Sequence, residues 1–421
     1  MKNSAALKLK QVPVGYLVVG IDPHKKKHAA VAITEDLMVR AKFKFSNSKV
    51  GFEQALENAR TEMVKSNCRG VIFAIETGGH FWRNFAYLLD ERGIPFRLIS
   101  QLTLKRMRDG RDLNRRKNDF RDAEMAADVL LTGDFTETKL LQGVYAELRS
   151  THSAYFRLVK ERTRIINLLK SLLDGLFPEF TQVFKNPCGC TALVVLSKCL
   201  TPAAIADMPE DSFVGAIRAG RQGRLMVRKL KALREVAKTS IGVKPGAEAV
   251  VMEISLLASR YQLIEQQIDR LVKSLIQLVD RTEEGKYLLS IRGINYLSTA
   301  ALLAELGPLK SYQNAKQLIK MAGTNPIEVE SGGKRLGKTP MSKKGRPRLR
   351  YCAWNAVIPL LAHNPDFRAW VKRRRERFAQ ANPLKGKEVV GAALNRLLRL
   401  IYVLGKKQEF YRLPQPIPII N

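Results

Sequence analysis

The chain has 421 residues, with 72 Lys or Arg against 39 Asp or Glu, giving a formal net charge of +33. That imbalance points to a polyanionic partner held through salt-sensitive phosphate contacts. A ribosomal-type or merely well-solvated surface gives the same sum, so charge names a kind of partner and no reaction. The length accommodates two or three domains at roughly 150 residues each. With 45% hydrophobic and 26% charged residues the composition is that of a soluble globular protein. MKNSAALKLKQVPV lacks an apolar h-region, and no run of about 18 apolar residues occurs. The expectation is therefore an intracellular protein with no membrane partner. Cys68, Cys188, Cys190, Cys199 and Cys352 are odd in number and scattered, unlike a disulfide framework. Cys188, Cys190 and Cys199 offer three zinc ligands without a neighbouring His or fourth Cys to complete the set, against the alternative of reduced thiols.

In chain order, the apolar run YLVVGID from Tyr16, then AAVAI and RAKFKF up to Phe45 with a turn at Thr34 to Asp36, predicts three antiparallel strands. A helical pattern follows from Phe52 to Ser66, then a buried strand from Gly70 to Glu76. After these come a helix holding Phe85, Leu88 and Leu89, and a strand at Phe96 to Ile99. Antiparallel strands followed by strand-helix alternation define an α/β domain with a mixed sheet. DFRDAEMAADVLL, Asp119 to Leu131, has strong helix formers and no Gly or Pro, and should pack as a helix on that sheet.

Apolar positions then recur in steps of three and four, through Leu148, Tyr155, Val159, Ile166, Leu169, Leu173 and Leu176. They recur again through Ile254, Leu257, Tyr261, Ile264, Ile268, Leu271, Leu275 and Leu278. Two readings stand: a coiled coil that builds an oligomer, or a pair of amphipathic helices packed within one monomer. His152 and Arg162 interrupt the first seam, and the second is cleaner. Between them, Phe177 to Gly246 contains five prolines and a basic stretch from Arg218 to Arg234, and reads as a small inserted element with a basic face. From Gly285 the pattern is helix, turn, helix, then a Gly-rich basic loop and a further helix. The tail after Tyr411, with three prolines, reads as an extended strap or a disordered end.

Asp22 and Glu76 each end a predicted strand, and Asp119 and Asp122, spaced i,i+3, share one helix face. Four such carboxylates converging at one sheet edge would repel and raise one another's pKa unless a hard cation offsets their charge. Oxygen donors favour Mg²⁺ or Mn²⁺, and such a site suits phosphodiester chemistry. The plainer reading is a solvated helix face with turn-forming acids after strands. His24 and His28, beside Asp22, either orient a metal ligand or face solvent from the strand. Trp82, Trp354 and Trp370 read as core anchors rather than base-stacking platforms.

Ser331 lies in VESGGKRLGKTPMSKKGRPRLR, where Gly332 and Gly333 permit close approach of backbone to phosphate. Lys334, Arg335, Lys338, Lys343, Lys344, Arg346, Arg348 and Arg350 supply a cationic rim for nucleic acid. A serine hydroxyl needs a base or a metal to become a nucleophile, and on residue types alone Ser342 competes with Ser331 on equal terms.

VGIDPHKKKHAAVAI, AIETGGHFWRN and KNDFRDAEMAA resemble the three acidic motifs of the DEDD transposases of the insertion-sequence one-ten family, which includes the Piv-type invertases. AGTNPIEVESGGKR with SKKGRPRLR, and KGKEVVGAALNRLLRLIYVLGK, are similar to that family's C-terminal domain. RGINYLSTAALLAELG is similar to its helix-hairpin-helix element, with Arg292 and Asn295 where relatives carry Pro and Gly.

The resemblance implies a RuvC-like (ribonuclease H) α/β domain over residues 1–135, whose Asp22, Glu76, Asp119 and Asp122 bind Mg²⁺ or Mn²⁺. It implies a helical coiled-coil region over 136–285, lengthened by the Pro-rich insertion at about 178–246, and a mainly α transposase domain over 286–421 carrying the nucleophile Ser331. It further implies DNA cutting and rejoining through a 5′-phosphoserine, a bridge RNA, a homo-oligomer (dimer or tetramer), and a cytoplasmic, nucleoid-associated location. Two rivals remain open on the residues alone: a RuvC-like structure-specific endonuclease using metal-activated water, and a noncatalytic nucleic-acid scaffold.

Overall fold

The computed structural model describes residues 12–111, 118–133, 140–220, 226–327, 330–331, 334–335, 340–378 and 386–413. The chain forms two compact units, Met1–Leu141 and Gln142–Asn421.

The first unit is built on a five-stranded mixed sheet: β1 (Tyr16–Asp22), β2 (Lys27–Ile33), β3 (Val39–Ser46), β4 (Gly70–Glu76) and β5 (Phe96–Ile99), in the order β3-β2-β1-β4-β5. β1, β2 and β3 pair antiparallel, as the alternating runs predict, while β4 lies parallel to β1 and β5 parallel to β4. β1 is central and covered on both faces, which is why YLVVGID is apolar throughout rather than alternating. Leu17, Val19 and Ile21 meet Phe52 and Leu56 of helix α1 (Lys49–Lys65) and Phe85 and Leu89 of α2 (Arg83–Glu91). On the other face Val18 meets Leu104 of α3 (Gln101–Arg111) and Ala123, Ala126, Ala127 and Leu130 of α4 (Asp119–Thr132). Asn118 caps α4 by accepting from the Phe120 N–H, and Gly133 ends it at φ 72°. Edge strand β3 keeps Lys42 and Lys44 exposed.

His28 is not the solvent-facing strand residue that the pattern suggested. It is fully buried, its ring centroid 5.0 Å from that of Phe45 and 6.0 Å from that of Phe52, with Nδ1 accepting from the His24 backbone N–H at 3.0 Å. The two phenylalanines come from β3 and α1 and close over β2, which local periodicity cannot show.

Among the described residues the second unit is helical apart from a short hairpin and an isolated bridge between Pro326 and Met341. Helices α5 (Gly143–Leu176) and α11 (Ala247–Asp280), 34 residues each, pack on one another. Ion pairs Glu147–Arg281, Glu161–Arg260 and Arg162–Glu265 show that they run antiparallel. Their three-four seams thus meet inside one chain, and His152 and Arg162 turn out to be engaged members of the first helix. Towards one end the pair is covered by α6 (Phe180–Val183), α7 (Cys190–Ser197), α8 (Pro202–Asp207), α9 (Glu210–Ala219) and α10 (Val227–Lys238). These wrap a core of Phe180, Leu193, Phe213, Ile217, Leu230 and Leu233 shared with Leu169, Leu173 and Ile254 of the long pair. Arg228 and Lys231 are exposed on α10, while Arg221 and Arg224 lie outside the described residues. Cys188 and Cys352 are buried thiols, raised by burial to about 11 and about 12, and Cys190 and Cys199 are exposed.

The rest of the unit comprises α12 (Gly285–Leu289), α13 (Tyr296–Leu306), α14 (Ala315–Ala322), α15 (Pro347–His363), α16 (Pro365–Phe378) and α17 (Gly386–Lys407). They share a second core centred on Leu302, Val357, Leu360, Leu394 and Leu398. In the α12–α13 turn the left-handed residue is Gly293, at φ 100°, where a Cβ would come 2.9 Å from Leu360 Cα. Asn295 is extended and caps α13, accepting from the Ser298 N–H at 2.8 Å. The buried amide of Asn364 donates to the Arg292 carbonyl at 3.1 Å and caps α16 by accepting from the Asp366 N–H. Buried Glu305 pairs with Arg149 at 3.2 Å and Arg348 at 3.1 Å. Tyr411 is tied by its backbone N–H to Ser290, and the tail beyond residue 413 lies outside the described residues. No helix among the described residues is long and apolar enough to cross a membrane.

His28 in the first unit and His152 in the second each have a pKa lowered by burial from 6.5 to about 4, His152 also by the neighbouring Arg348. Unfolded, each would take up a proton near pH 6.5 that the folded protein refuses until about pH 4. The stability they contribute is complete above 6.5 and falls as pH drops towards 4. Urea unfolding should show midpoints falling across that window, and His152→Gln should flatten the fall for the helical unit by roughly 1–3 kcal/mol. A slope unchanged in that variant would mean that His152 carries a proton in the folded state.

Candidate metal centre and serine hairpin

Parallel pairing of β1 and β4 in the register Ile21 with Ile75 brings the two following residues, Asp22 and Glu76, side by side at the carboxyl edge of the sheet. That edge is where open α/β sheets bind ligands. The third element is α4. At Gly20 the helix lies so close that a Cβ would stand 1.9 Å from the Ala123 carbonyl oxygen. This approach seats Asp122, the residue before Ala123, at the same edge. Asp22, Glu76 and Asp122 are 8%, 7% and 3% exposed and line one cavity of about 820 Å³ with His24, Gln101, Lys105 and Arg108.

Asp119, one turn earlier on α4, is not among the residues lining that cavity. Its carboxylate accepts from Lys44 Nζ at 3.0 Å, which holds its pKa below the usual range, and lies 3.8 Å from His24 Nε2. His24 Nδ1 is 3.7 Å from Asp22 Oδ2. One ligand atom each from Asp22, His24 and Asp119 can be chosen so that all lie within 4.8 Å of one another. The four acids therefore gather as two overlapping groups that share Asp22, one closed around the cavity and one bridged by His24. Carboxylate oxygens with one imidazole fit a hard divalent cation.

The cavity is also lined by cations that the motif reading did not single out. Arg108 Nη2 donates to Asp122 Oδ1 at 2.6 Å, and Lys105 stands one turn earlier on α3. QLTLKRMRDGR is rich in basic residues, and Ser100 accepts from the Thr103 N–H at 3.2 Å to start a helix, with Leu104 and Met107 burying one side of it. A cap residue followed by apolar positions spaced i,i+3 was the available signal.

In the second unit Ser331 ends strand β6 (Glu330–Ser331), which pairs antiparallel with β7 (Lys334–Arg335). Gly332, Gly333 and Lys338 lie outside the described residues. Ser342, the competing serine, donates its hydroxyl to Asn325 Oδ1 at 2.7 Å. The rim of cations divides. Lys343 and Lys344 are exposed. Arg346 donates to the Glu305 carbonyl at 2.8 Å, Arg348 to Ser153 at 2.8 Å, and Arg350 to the Ala322 carbonyl at 2.9 Å, so each of these three is also engaged within the fold.

A carboxylate-lined cavity at a sheet edge, in a chain of net charge +33, offers oxygen donors of the kind that suit a cation. Residues 19–178, which hold all four acids, match the DEDD IS110 family model, described as Transposase. Residues 285–372, which hold Ser331, match the model described as Transposase IS116/IS110/IS902 family. The chain is 26% identical over 367 residues to the uncharacterized 44.8 kDa protein of insertion element IS116 from Streptomyces clavuligerus, covering 85% of this chain and 88% of that one. It is 23% identical over 355 residues to the transposase for insertion sequence element IS1111A from Coxiella burnetii, covering 81% and 79%. The chain belongs to the IS116/IS110/IS902 family of transposases, and is an enzyme, a DNA transposase.

Gly20→Ala tests how far the site depends on the strand-helix approach. The added methyl must push α4 away from β1, so thermal stability should fall by about 1–3 kcal/mol of overpacking. Divalent-metal affinity should fall with it. An alanine variant with unchanged melting temperature would show that the helix accommodates a Cβ at this point.

Proposed function

We propose that the chain is an insertion-sequence recombinase that cuts and rejoins DNA through a 5′-phosphoserine on Ser331, with Mg²⁺ or Mn²⁺ held by Asp22, Glu76, Asp119 and Asp122. The observation that carries this reading is the convergence of Asp22, Glu76 and Asp122, from three separate elements, on one cavity. Such convergence is costly for anions unless they serve a cation. The sheet order β3-β2-β1-β4-β5, with β2 antiparallel to its neighbours, supports a ribonuclease H-like, RuvC-type domain over residues 1–135. Residues 136–285 then serve as a helical scaffold and 286–421 as the module bearing the nucleophile.

A cation held by Asp22, Glu76, Asp119 and Asp122 would withdraw charge from phosphorus and from the leaving oxygen. Ser331 Oγ attacks the scissile phosphorus, forming the Oγ–P bond as the P–O3′ bond breaks, and the proton lost by the serine is balanced by protonation of the released 3′-oxygen. Reversal with a different DNA 3′-hydroxyl forms the new P–O3′ bond and restores the serine. The phosphoester conserves the bond, so strand exchange needs no nucleotide. Exposed Lys343 and Lys344, with Lys334, Arg335 and Lys338 of the same basic stretch of sequence, position the phosphate backbone. Selection of DNA by a bridge RNA and assembly as a dimer or tetramer belong to the same reading. Met252, Leu256 and Leu263, on one side of α11 and each more than half exposed, leave an apolar stripe that self-association would cover.

The test is incubation of the protein with Mg²⁺, its own flanking DNA and the RNA transcribed from that flank, followed by denaturing gels for protein-linked DNA. A covalent adduct is expected, reduced by about 1000-fold or more in both Ser331→Ala and Asp122→Ala. Salt-sensitive DNA binding should persist in Ser331→Ala. Free nicked ends without an adduct would transfer the chemistry to water, and normal strand exchange by Ser331→Ala would remove the serine from the mechanism.

A further inference from the structure

Asp122 is a carboxylate buried to 3% exposure whose Oδ1 accepts from Arg108 Nη2 at 2.6 Å. A charge so buried requires a counter-ion, and here a guanidinium supplies it. The contact is made by one end of the group alone. Arg108 Nε is buried and has no hydrogen-bond partner, so the bidentate fork that would make an Arg–Asp pair strong is not formed. The guanidinium therefore keeps donors for a second acceptor. Its base is fixed, because Leu104 and Met107 pack α3 into the core that includes α4. Arg108 lines the cavity, and Lys105 lines it from the same helix. Lys44–Asp119 differs: both side chains are more than 40% exposed, and water screens that pair.

A divalent cation on Asp122 would lie next to the guanidinium, and like charges sharing one carboxylate oxygen repel. We propose that Arg108 is a displaceable counter-ion and a phosphate-positioning residue. It neutralises Asp122 before metal binds, yields the carboxylate to the cation, and then pairs with a phosphodiester oxygen of DNA in the same cavity. This rests on the reading that the carboxylates hold metal. The arginine stays charged throughout; only its partner changes. Metal and DNA then assist one another's binding, because each removes the partner that the other needs vacated.

The experiment uses the full chain without DNA, titrated with Mn²⁺ and followed by electron paramagnetic resonance of the free ion. Arg108→Ala should bind Mn²⁺ about tenfold more tightly than wild type, whereas Asp122→Ala should bind it weakly. Arg108→Gln, which keeps a hydrogen bond to Asp122 without the charge, should move in the same direction, and Arg108→Lys should stay near wild type. In a second readout, binding of a short DNA duplex by fluorescence anisotropy, Arg108→Ala should weaken affinity in Ca²⁺ more than without divalent ions. Lys343→Ala should weaken it equally in both. Mn²⁺ affinity unchanged or reduced in folded Arg108→Ala and Arg108→Gln would overturn the exchange and leave Arg108 a structural counter-ion. Mn²⁺ binding that is equal in wild type, Asp22→Ala and Asp122→Ala would instead sink the carboxylate reading, and this inference with it.

Discussion

The close approach of α4 to β1 at Gly20 fixes the geometry on which the rest of the site depends. Asp22 follows Gly20 by two residues on the strand, and Asp122 precedes Ala123, the residue whose carbonyl faces Gly20. One backbone contact therefore sets the distance between acids 100 positions apart in sequence. The parallel register of β1 and β4 sets the other distance, between Asp22 and Glu76. Both are backbone constraints on rigid elements, which hold a constellation more narrowly than loops do. The carboxylates are placed before any ligand arrives, and the cost of crowding them is met by neighbouring cations.

Charge compensation runs through both units in the same sense, with cations answering acids. In the first, buried Asp122 is answered by Arg108, and the half-exposed Asp119 by Lys44. In the second, Glu305 is 4% exposed and gathers Arg149 and Arg348 on its carboxylate and Arg346 on its carbonyl. Burial and the adjacent Arg149 hold Arg346 below the ordinary arginine range. Part of the net charge of +33 is thus internal scaffolding. Removing one partner of such a cluster strands a buried charge, so these arginines carry a cost to the fold when replaced.

What the sequence disclosed follows from how local each signal is. β4 and β5 lie where their apolar runs place them, and α4 starts at Asp119, because burial on both faces and a capping Asn are written in consecutive residues. The three-four seams were legible as helices, but their partner was not, since the same periodicity serves a neighbouring chain or a neighbouring helix; three ion pairs decide for packing inside this chain. His28 was misread because its burial depends on Phe52 of another element. In the α12–α13 turn the left-handed conformation falls to Gly293, which leaves Asn295 free to cap α13, a distinction set by contact with Leu360 far along the chain. Arg108 was missed because basic residues dominate α3 and hide its short apolar side.

The two stretches that match transposase models, 19–178 and 285–372, contain the four acids and the serine hairpin respectively. Between them lie α6 to α10, whose core is closed by residues of α5 and α11. An element with its own buried core, attached to a long helix pair, can lengthen or shrink without moving either the carboxylate edge or the hairpin. The chemistry-bearing stretches are tied to fixed backbone registers, whereas the inserted helices need only bury their apolar faces. That difference in constraint separates the parts of this chain that fix the carboxylate edge from the Pro-rich segment, whose helices answer only to burial.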